Sequence, residues 1–139
     1  MNPSVTITYA SLDDLAELKK LDKHISSSEF AKAQADNRVL VIKFASKLGG
    51  WLRYNLFWDN TPFLNMLEIL PAYRQQNYGR RLVEFWENSM KQQDYHLVMT
   101  SSLSNETAQH FYRKLGYRDA GTLILDNQAA EIIFTKELL

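Results

Sequence analysis

The chain has 139 residues, 45% apolar and 23% charged, a balance that fits one soluble globular domain over residues 1–139. Lys plus Arg and Asp plus Glu number 16 each, and the resulting net charge of zero argues against an extended nucleic-acid surface. The lack of cysteine excludes disulfides, thiolate metal sites and cysteine nucleophiles.

The opening Met1-Asn2-Pro3-Ser4 reads as neither a signal nor a transit peptide. No apolar run approaches the roughly 20 residues that span a bilayer, so a cytoplasmic protein with no membrane partner is expected. Val5 to Tyr9 alternates as a short strand does. Ser11-x-x-Asp14 resembles a capping box, and Leu12, Leu15, Leu18 and Leu21 follow at spacing three, which predicts a helix with an apolar stripe. Ser26-Ser27-Ser28 breaks that pattern, with Ser28 placed to cap a shorter helix through about Ala35. Val39 to Phe44 is apolar except at Lys43, as in a strand buried on both faces. Gly49-Gly50 marks a turn. Trp51 to Trp58 and Phe63 to Leu70 then read as a long hairpin about Asp59-Asn60-Thr61-Pro62.

The stretch from Leu67 to Trp86 begins as a strand, breaks at Pro71 and crosses a polar segment. It becomes an amphipathic helix with Leu82, Phe85, Trp86 and Met90 at helical spacing. Free N–H groups and the dipole at that helix start, beside Gly79, Arg80 and Arg81, make an anion site. Leu97 to Thr100 is a brief apolar strand, and Ser104 is placed to cap a helix carrying Ala108, Phe111, Tyr112 and Leu115 on one stripe. His110 lies off that stripe, and Gly116 occupies the C′ position. Arg118 to Leu125 and Glu131 to Lys136 close the chain as a hairpin around Asp126-Asn127. The element order is mixed α+β, with no internal repeat and no linker.

Two motifs carry a resemblance to the GNAT superfamily of N-acetyltransferases. Pro71-Ala72-Tyr73-Arg74-Gln75-Gln76-Asn77-Tyr78-Gly79-Arg80 is similar to the family's pyrophosphate loop, Arg/Gln-x-x-Gly-x-Gly/Ala, with Asn77 in place of the first glycine. Asn105-x-x-Ala108-x-x-Phe111-Tyr112-x-x-Leu115-Gly116-Tyr117 matches its second landmark throughout. Asn is the best substitute for glycine at a left-handed position, at a cost of about 1 kcal/mol. The resemblance implies a GNAT-like fold, a central, mostly antiparallel twisted sheet of about six to seven strands splayed at strands four and five and flanked by about four helices.

It also implies an acetyl-CoA-dependent N-acetyltransferase without a metal, acting on a primary amine of a small molecule or peptide by direct attack in a ternary complex. By resemblance, the pyrophosphate rests on the N–H groups of Gln75, Gln76, Asn77, Tyr78 and Gly79. Arg80 adds charge there, and Arg74 or Arg81 reaches the outer phosphates. Leu67 and Ile69 pair with the pantetheine arm, and the N–H groups near Ile69 and Leu70 polarise the thioester carbonyl. Asn105 either bonds the pantetheine amides or serves the helix start. Tyr112 is the acid that protonates the leaving thiolate, unless it is only part of the core stripe. The base stays open: Thr100 is all the fifth strand offers, while alternation puts Glu68 among Leu64, Met66 and Leu70, on an apolar face, and a water chain serves as well. The loop His24–Ser28, the strand Trp51–Trp58 and the turn Asp59–Pro62 border the acceptor cleft. The unassigned base and Asn77 also leave open a second reading, an acyl-CoA-binding sensor on the same fold, and a third, a purely structural domain. A homodimer is compatible with the resemblance.

Overall fold

A computed structural model describes residues 4–139. In chain order the elements are β1 (Val5–Tyr9), α1 (Leu12–Leu21), α2 (Ser27–Ala35), β2 (Val39–Phe44), β3 (Lys47–Phe57), β4 (Thr61–Ile69) and a single 3-10 turn (Pro71–Tyr73). There follow α3 (Tyr78–Gln92), β5 (Leu97–Leu103), α4 (Ala108–Lys114), β6 (Arg118–Leu123) and β7 (Glu131–Glu137). The strand order is β1-β2-β3-β4-β5-β7-β6. β4 and β5 pair in parallel at Phe63↔Met99 and Leu64↔Thr100, and the other described pairings are antiparallel. The mixed α+β order expected of the sequence is thus present. The chain divides into two compact units, Met1–Asn55 with Met66–Trp86, and Leu56–Asn65 with Glu87–Leu139.

In the first unit, α1 and α2 contribute Leu18 and Phe30 to a cluster with Val39, Val41, Leu48 and Trp51. Each of these fully buried side chains is worth about 1.5–3 kcal/mol. The Ser11 N–H donates to Asp14 Oδ2 at 2.9 Å, the half of the capping box that satisfies the chain just ahead of α1. The leucine stripe is narrower than expected: Leu18 is buried, whereas Leu12 is 75% exposed. A spacing of three falls short of a turn by roughly 60° each step, so Leu12 and Leu21 end on opposite sides of the helix. The second helix begins two residues earlier than expected. Its cap is Ser26 rather than Ser28, for the Ser26 Oγ accepts the Glu29 N–H at 3.2 Å.

Gly49-Gly50 is not a turn. The β2–β3 reversal falls at Ala45 and Ser46, with φ of 50° and 71°, and both glycines lie inside β3. The register shifts between Ile42 and Lys43, so Gly49 is the extra residue of a bulge. A Cβ on Gly49 would lie 2.1 Å from the Phe44 ring, and one on Gly50 would lie 2.6 Å from the Glu68 carbonyl oxygen. Close packing, not a reversal, demands glycine there.

In the second unit, the turn before β4 places Trp58 and Asp59 at φ of 54° and 63°, so Pro62 belongs to the strand. β5 runs to Leu103, beyond the expected end at Thr100, and pairs along its length with β7. α4 starts at Ala108, later than a cap at Ser104 implies. It ends as expected, with Gly116 at φ 96°. β6 stops at Leu123, and Asn127 in the closing loop has φ 59°. Helix α3, which belongs to the first unit as far as Trp86, buries Leu82, Val83, Trp86 and Met90 completely, but Phe85 is 37% exposed. Positions 82, 86 and 90 share one seam, and 85 falls to its side.

Candidate functional site

The segment after β4 is shaped by backbone that few residues adopt. Gln75 has φ 61° and Asn77 has φ 67°, and the Asn77 carbonyl accepts the Arg81 N–H at 3.1 Å. Asn77 therefore opens α3, as its tolerance of the left-handed region predicts. The N–H groups of Asn77, Tyr78, Gly79 and Arg80 precede any possible intrahelical acceptor, and the helix dipole reinforces them. Between Leu70 and Arg81 the chain has three arginines and no acid. Such a donor set fits a polyanion.

Aromatic packing fixes this loop. Phe44 stacks on Tyr73 with centroids 4.0 Å apart and meets Tyr78 edge-on at 4.7 Å. The bare Cα of Gly49 makes room for the Phe44 ring. Arg80 pairs with Glu84 at 2.8 Å, and the Arg81 guanidinium lies 5.6 Å from the centroid of the Tyr78 ring. Arg74 turns back instead of facing outward: its Nε donates to the Ile69 carbonyl at 2.7 Å and its Nη2 to Glu68 Oε1 at 2.6 Å. Glu68 is accordingly an ion-paired, half-exposed carboxylate and not an acid isolated on an apolar face. The 3-10 turn, by shortening the path from Ile69 to Arg74, creates that pair.

The edge of β4 is divided. The Leu70 N–H donates to the Gly49 carbonyl at 2.8 Å, which removes it from any polarising role. Strand alternation then directs the N–H and C=O of Ile69 and Leu67 toward the opposite edge. Arg74 occupies the Ile69 carbonyl on that edge.

Beside Glu68 lies a cavity of about 280 Å³, bounded by Leu21, Lys23, Trp51, Met66 and Leu70 together with His24. Behind its wall, Asp22 is 2% exposed. Its carboxylate accepts from Arg53 Nε at 2.9 Å, from Trp51 Nε1 at 3.1 Å and from the His24 backbone N–H at 3.3 Å. Sequence reasoning passed over Asp22 and Arg53, which are 31 positions apart. The available signal was Arg53 within a run of buried β3 residues, two positions from Trp51 and so on the same face. Trp58, by contrast, is 80% exposed.

Tyr112 and Asn105 belong to the second unit. Tyr112 is 5% exposed, with its ring against Phe111, Tyr117 and Phe134. Burial raises its pKa to about 12, and a hydrogen bond with the Thr100 hydroxyl pulls it weakly the other way. Thr100 Oγ1 itself donates to the Leu64 carbonyl at 3.0 Å. Asn105 sits in the exposed turn ahead of α4, not in its first turn, and His110 is exposed as expected. The end of the motif is structural: Tyr117 donates to Glu87 Oε2 at 2.7 Å, and Lys136 Nζ bridges Glu87 Oε1 at 2.9 Å and the Leu115 carbonyl at 2.7 Å. Burial, and then the Glu87 carboxylate, push the Tyr117 phenol up.

Known proteins place the chain further. A model of the acetyltransferase (GNAT) family matches residues 9–117. No curated protein matches the sequence. Among solved structures, the ribosomal-protein-S18-alanine N-acetyltransferase of Escherichia coli superposes with a TM-score of 0.81 at 20% identity, over 97% of this chain and 94% of that one. The acetyltransferase yncA of Salmonella typhimurium, solved with acetyl-CoA, gives 0.80 at 15%, over 97% and 94%. Arabidopsis thaliana Naa50, solved with the bisubstrate analogue CoA-Ac-MVNAL, gives 0.78 at 18%, over 96% and 98%. At these identities the likeness is one of fold.

Proposed function

The chain belongs to the acetyltransferase (GNAT) family, and we propose that it acts as one domain that moves an acetyl group from acetyl-CoA to a primary amine in a ternary complex. The observation that carries this reading is the loop Gln75–Arg80, with two left-handed residues and a helix start whose N–H groups face no internal acceptor. The similar structures with acetyl-CoA or a CoA–peptide analogue support the same donor. The acceptor is an amine of a small molecule or peptide, and the S18-alanine N-acetyltransferase of E. coli and the CoA–peptide analogue on the Arabidopsis protein support the peptide.

Gln75, Gln76, Asn77, Tyr78 and Gly79 hold the pyrophosphate through backbone N–H groups, with Arg80 supplying charge. Leu67 and Ile69 offer their outward backbone edge to the pantetheine arm, and the Ile69 N–H is the group suited to polarise a carbonyl. Acetyl-CoA supplies the acetyl group as a thioester. Tyr112 keeps its phenolic proton at neutral pH and gives it to sulfur as the C–S bond breaks, while the amine proton leaves through Glu68 or water. A phenol raised to about 12 is a weaker acid than free tyrosine, so its proton moves only as charge builds on sulfur. Asn105, exposed before α4, is an acceptor and donor for pantetheine amides. No helix among the described residues is long and apolar enough to cross a membrane, and the protein is read as cytoplasmic.

Incubation with acetyl-CoA and a panel of amines tests the reading by release of free thiol. Release that depends on amine establishes transfer. Thermal stabilisation by acetyl-CoA without release from any amine would favour the sensor reading, which the engagement of Glu68 by Arg74 supports.

A further inference from the structure

The cavity beside Asp22 has walls that specify an occupant. We propose that it receives the body of the acceptor, a primary amine carrying an apolar group of about one side chain's size, and that Asp22 positions its wall. The proposal rests on the acetyl-transfer reading above. Leu21, Trp51, Met66 and Leu70 make most of the lining apolar, with Lys23, His24 and Glu68 as its polar members, and about 280 Å³ sits near the lower end of ligand-pocket volumes. An extended polar substrate finds few partners there, whereas an arylalkyl or branched alkyl group removes apolar surface from water on every side.

Glu68 is the acid among the lining residues, and Arg74 holds it by Oε1 alone in the described contacts. The same carboxylate accepts an ammonium N–H at the cavity edge. The apolar body and the charged nitrogen of one molecule thus meet surfaces of matching character.

Asp22 is too buried to touch such a ligand, yet it holds two groups of the lining at once. It fixes the Trp51 indole through Nε1 and the His24 backbone through its N–H, while Arg53 satisfies the rest of the carboxylate. The Trp51 side chain lines the cavity, core packing holds one side of it, and its indole N–H is anchored on Asp22. Asp22 is a positioning residue for acceptor choice.

The test compares ethylamine, phenethylamine and a short peptide opening with Phe as acceptors, and separately titrates phenethylamine into the protein without acetyl-CoA while following tryptophan fluorescence. The expected result is saturable phenethylamine binding and a kcat/KM at least tenfold above that of ethylamine. The relative KM of the peptide and phenethylamine tells which carries the recognised group to the site. Leu21→Trp, at a half-exposed position that tolerates bulk, fills the cavity and collapses the preference toward one. Asp22→Asn raises KM for phenethylamine more than for ethylamine, with kcat little changed. Transfer to both amines at equal kcat/KM, unaltered in Leu21→Trp, overturns the proposal. If no amine is acetylated, the reading of the reaction fails on its own, and an absence of phenethylamine binding in the titration then overturns the cavity assignment as well.

Discussion

The ring of Phe44 lies 5° from parallel with that of Tyr73, at a centroid separation of 4.0 Å, and Gly49 is what allows it. An alanine Cβ at 49 would meet the Phe44 ring at 2.1 and 2.3 Å, well inside contact distance. The ring must move, and Tyr73 and Tyr78 at either end of the loop lose their common support. Gly49→Ala should destabilise the fold by about 1–3 kcal/mol, the usual cost of overpacking. Acetyl-CoA should bind roughly tenfold more weakly, as expected when ~1.4 kcal/mol of preorganisation is lost. Calorimetric Tm and isothermal titration with acetyl-CoA measure the two effects; a fall in Tm with unchanged affinity would separate the aromatic support from the loop.

Asn77 holds φ 67° at the start of α3. Glycine takes that conformation without the steric cost of a Cβ, so Asn77→Gly should bind acetyl-CoA as well as or better than the parent. Val branches at Cβ and opposes positive φ, so Asn77→Val should weaken binding at least tenfold, for a strain of roughly 1–3 kcal/mol. Titration of all three proteins orders the affinities Gly, Asn, Val. A marked loss in the glycine variant would instead assign the Asn77 side chain a direct contact with the donor.

Tyr112→Phe should keep acetyl-CoA affinity and lower kcat by about 10²–10⁴, the span of a positioned general acid. With its pKa near 12, the phenol stays protonated through the accessible alkaline range. The parent kcat should therefore show no decline attributable to this group between pH 7 and about 10. Stability has the same sign: the phenol's folded value lies above the unfolded value of about 10. Its contribution is fully present below pH ~10 and disappears as pH rises toward 12. Denaturant midpoints at pH 8 and pH 11 should converge in Tyr112→Phe relative to the parent.

The parts of the fold legible in sequence were those set by local pattern. Val5–Tyr9 and Val39–Phe44 have the boundaries that alternation and apolar runs imply, and Gly116 and Asn77 occupy left-handed backbone as their types predict. What escaped depends on packing between distant positions. Gly49 and Gly50 look like a turn because the Phe44 ring and the Glu68 carbonyl that crowd them are invisible until β2 and β4 are aligned on β3. Ala45 and Ser46 make the actual reversal with no residue type that announces it, and Gln75 is equally silent at φ 61°. Glu68 reads as an acid on an apolar face until the 3-10 turn brings Arg74 back onto it. Asp22 is the largest omission, since its meaning comes only from Trp51 and Arg53.

Glu87 joins two distant positions of the chain, since Tyr117 and Lys136 both converge on its buried carboxylate. Removing only the acid strands the Lys136 ammonium, whose side chain is 25% exposed, beside a phenol and the Leu115 carbonyl. Glu87→Leu should therefore cost about 2–4 kcal/mol, somewhat below the range for breaking a wholly buried pair because water reaches the lysine. Lys136→Met alone leaves the carboxylate with only the Tyr117 hydroxyl and should cost a similar amount. The double variant Glu87→Leu/Lys136→Met removes both charges together, so its cost should fall short of the sum of the single costs by about 1–3 kcal/mol. Urea denaturation of the four proteins at pH 7 closes this cycle. Additive costs would mean that Glu87 and Lys136 act independently.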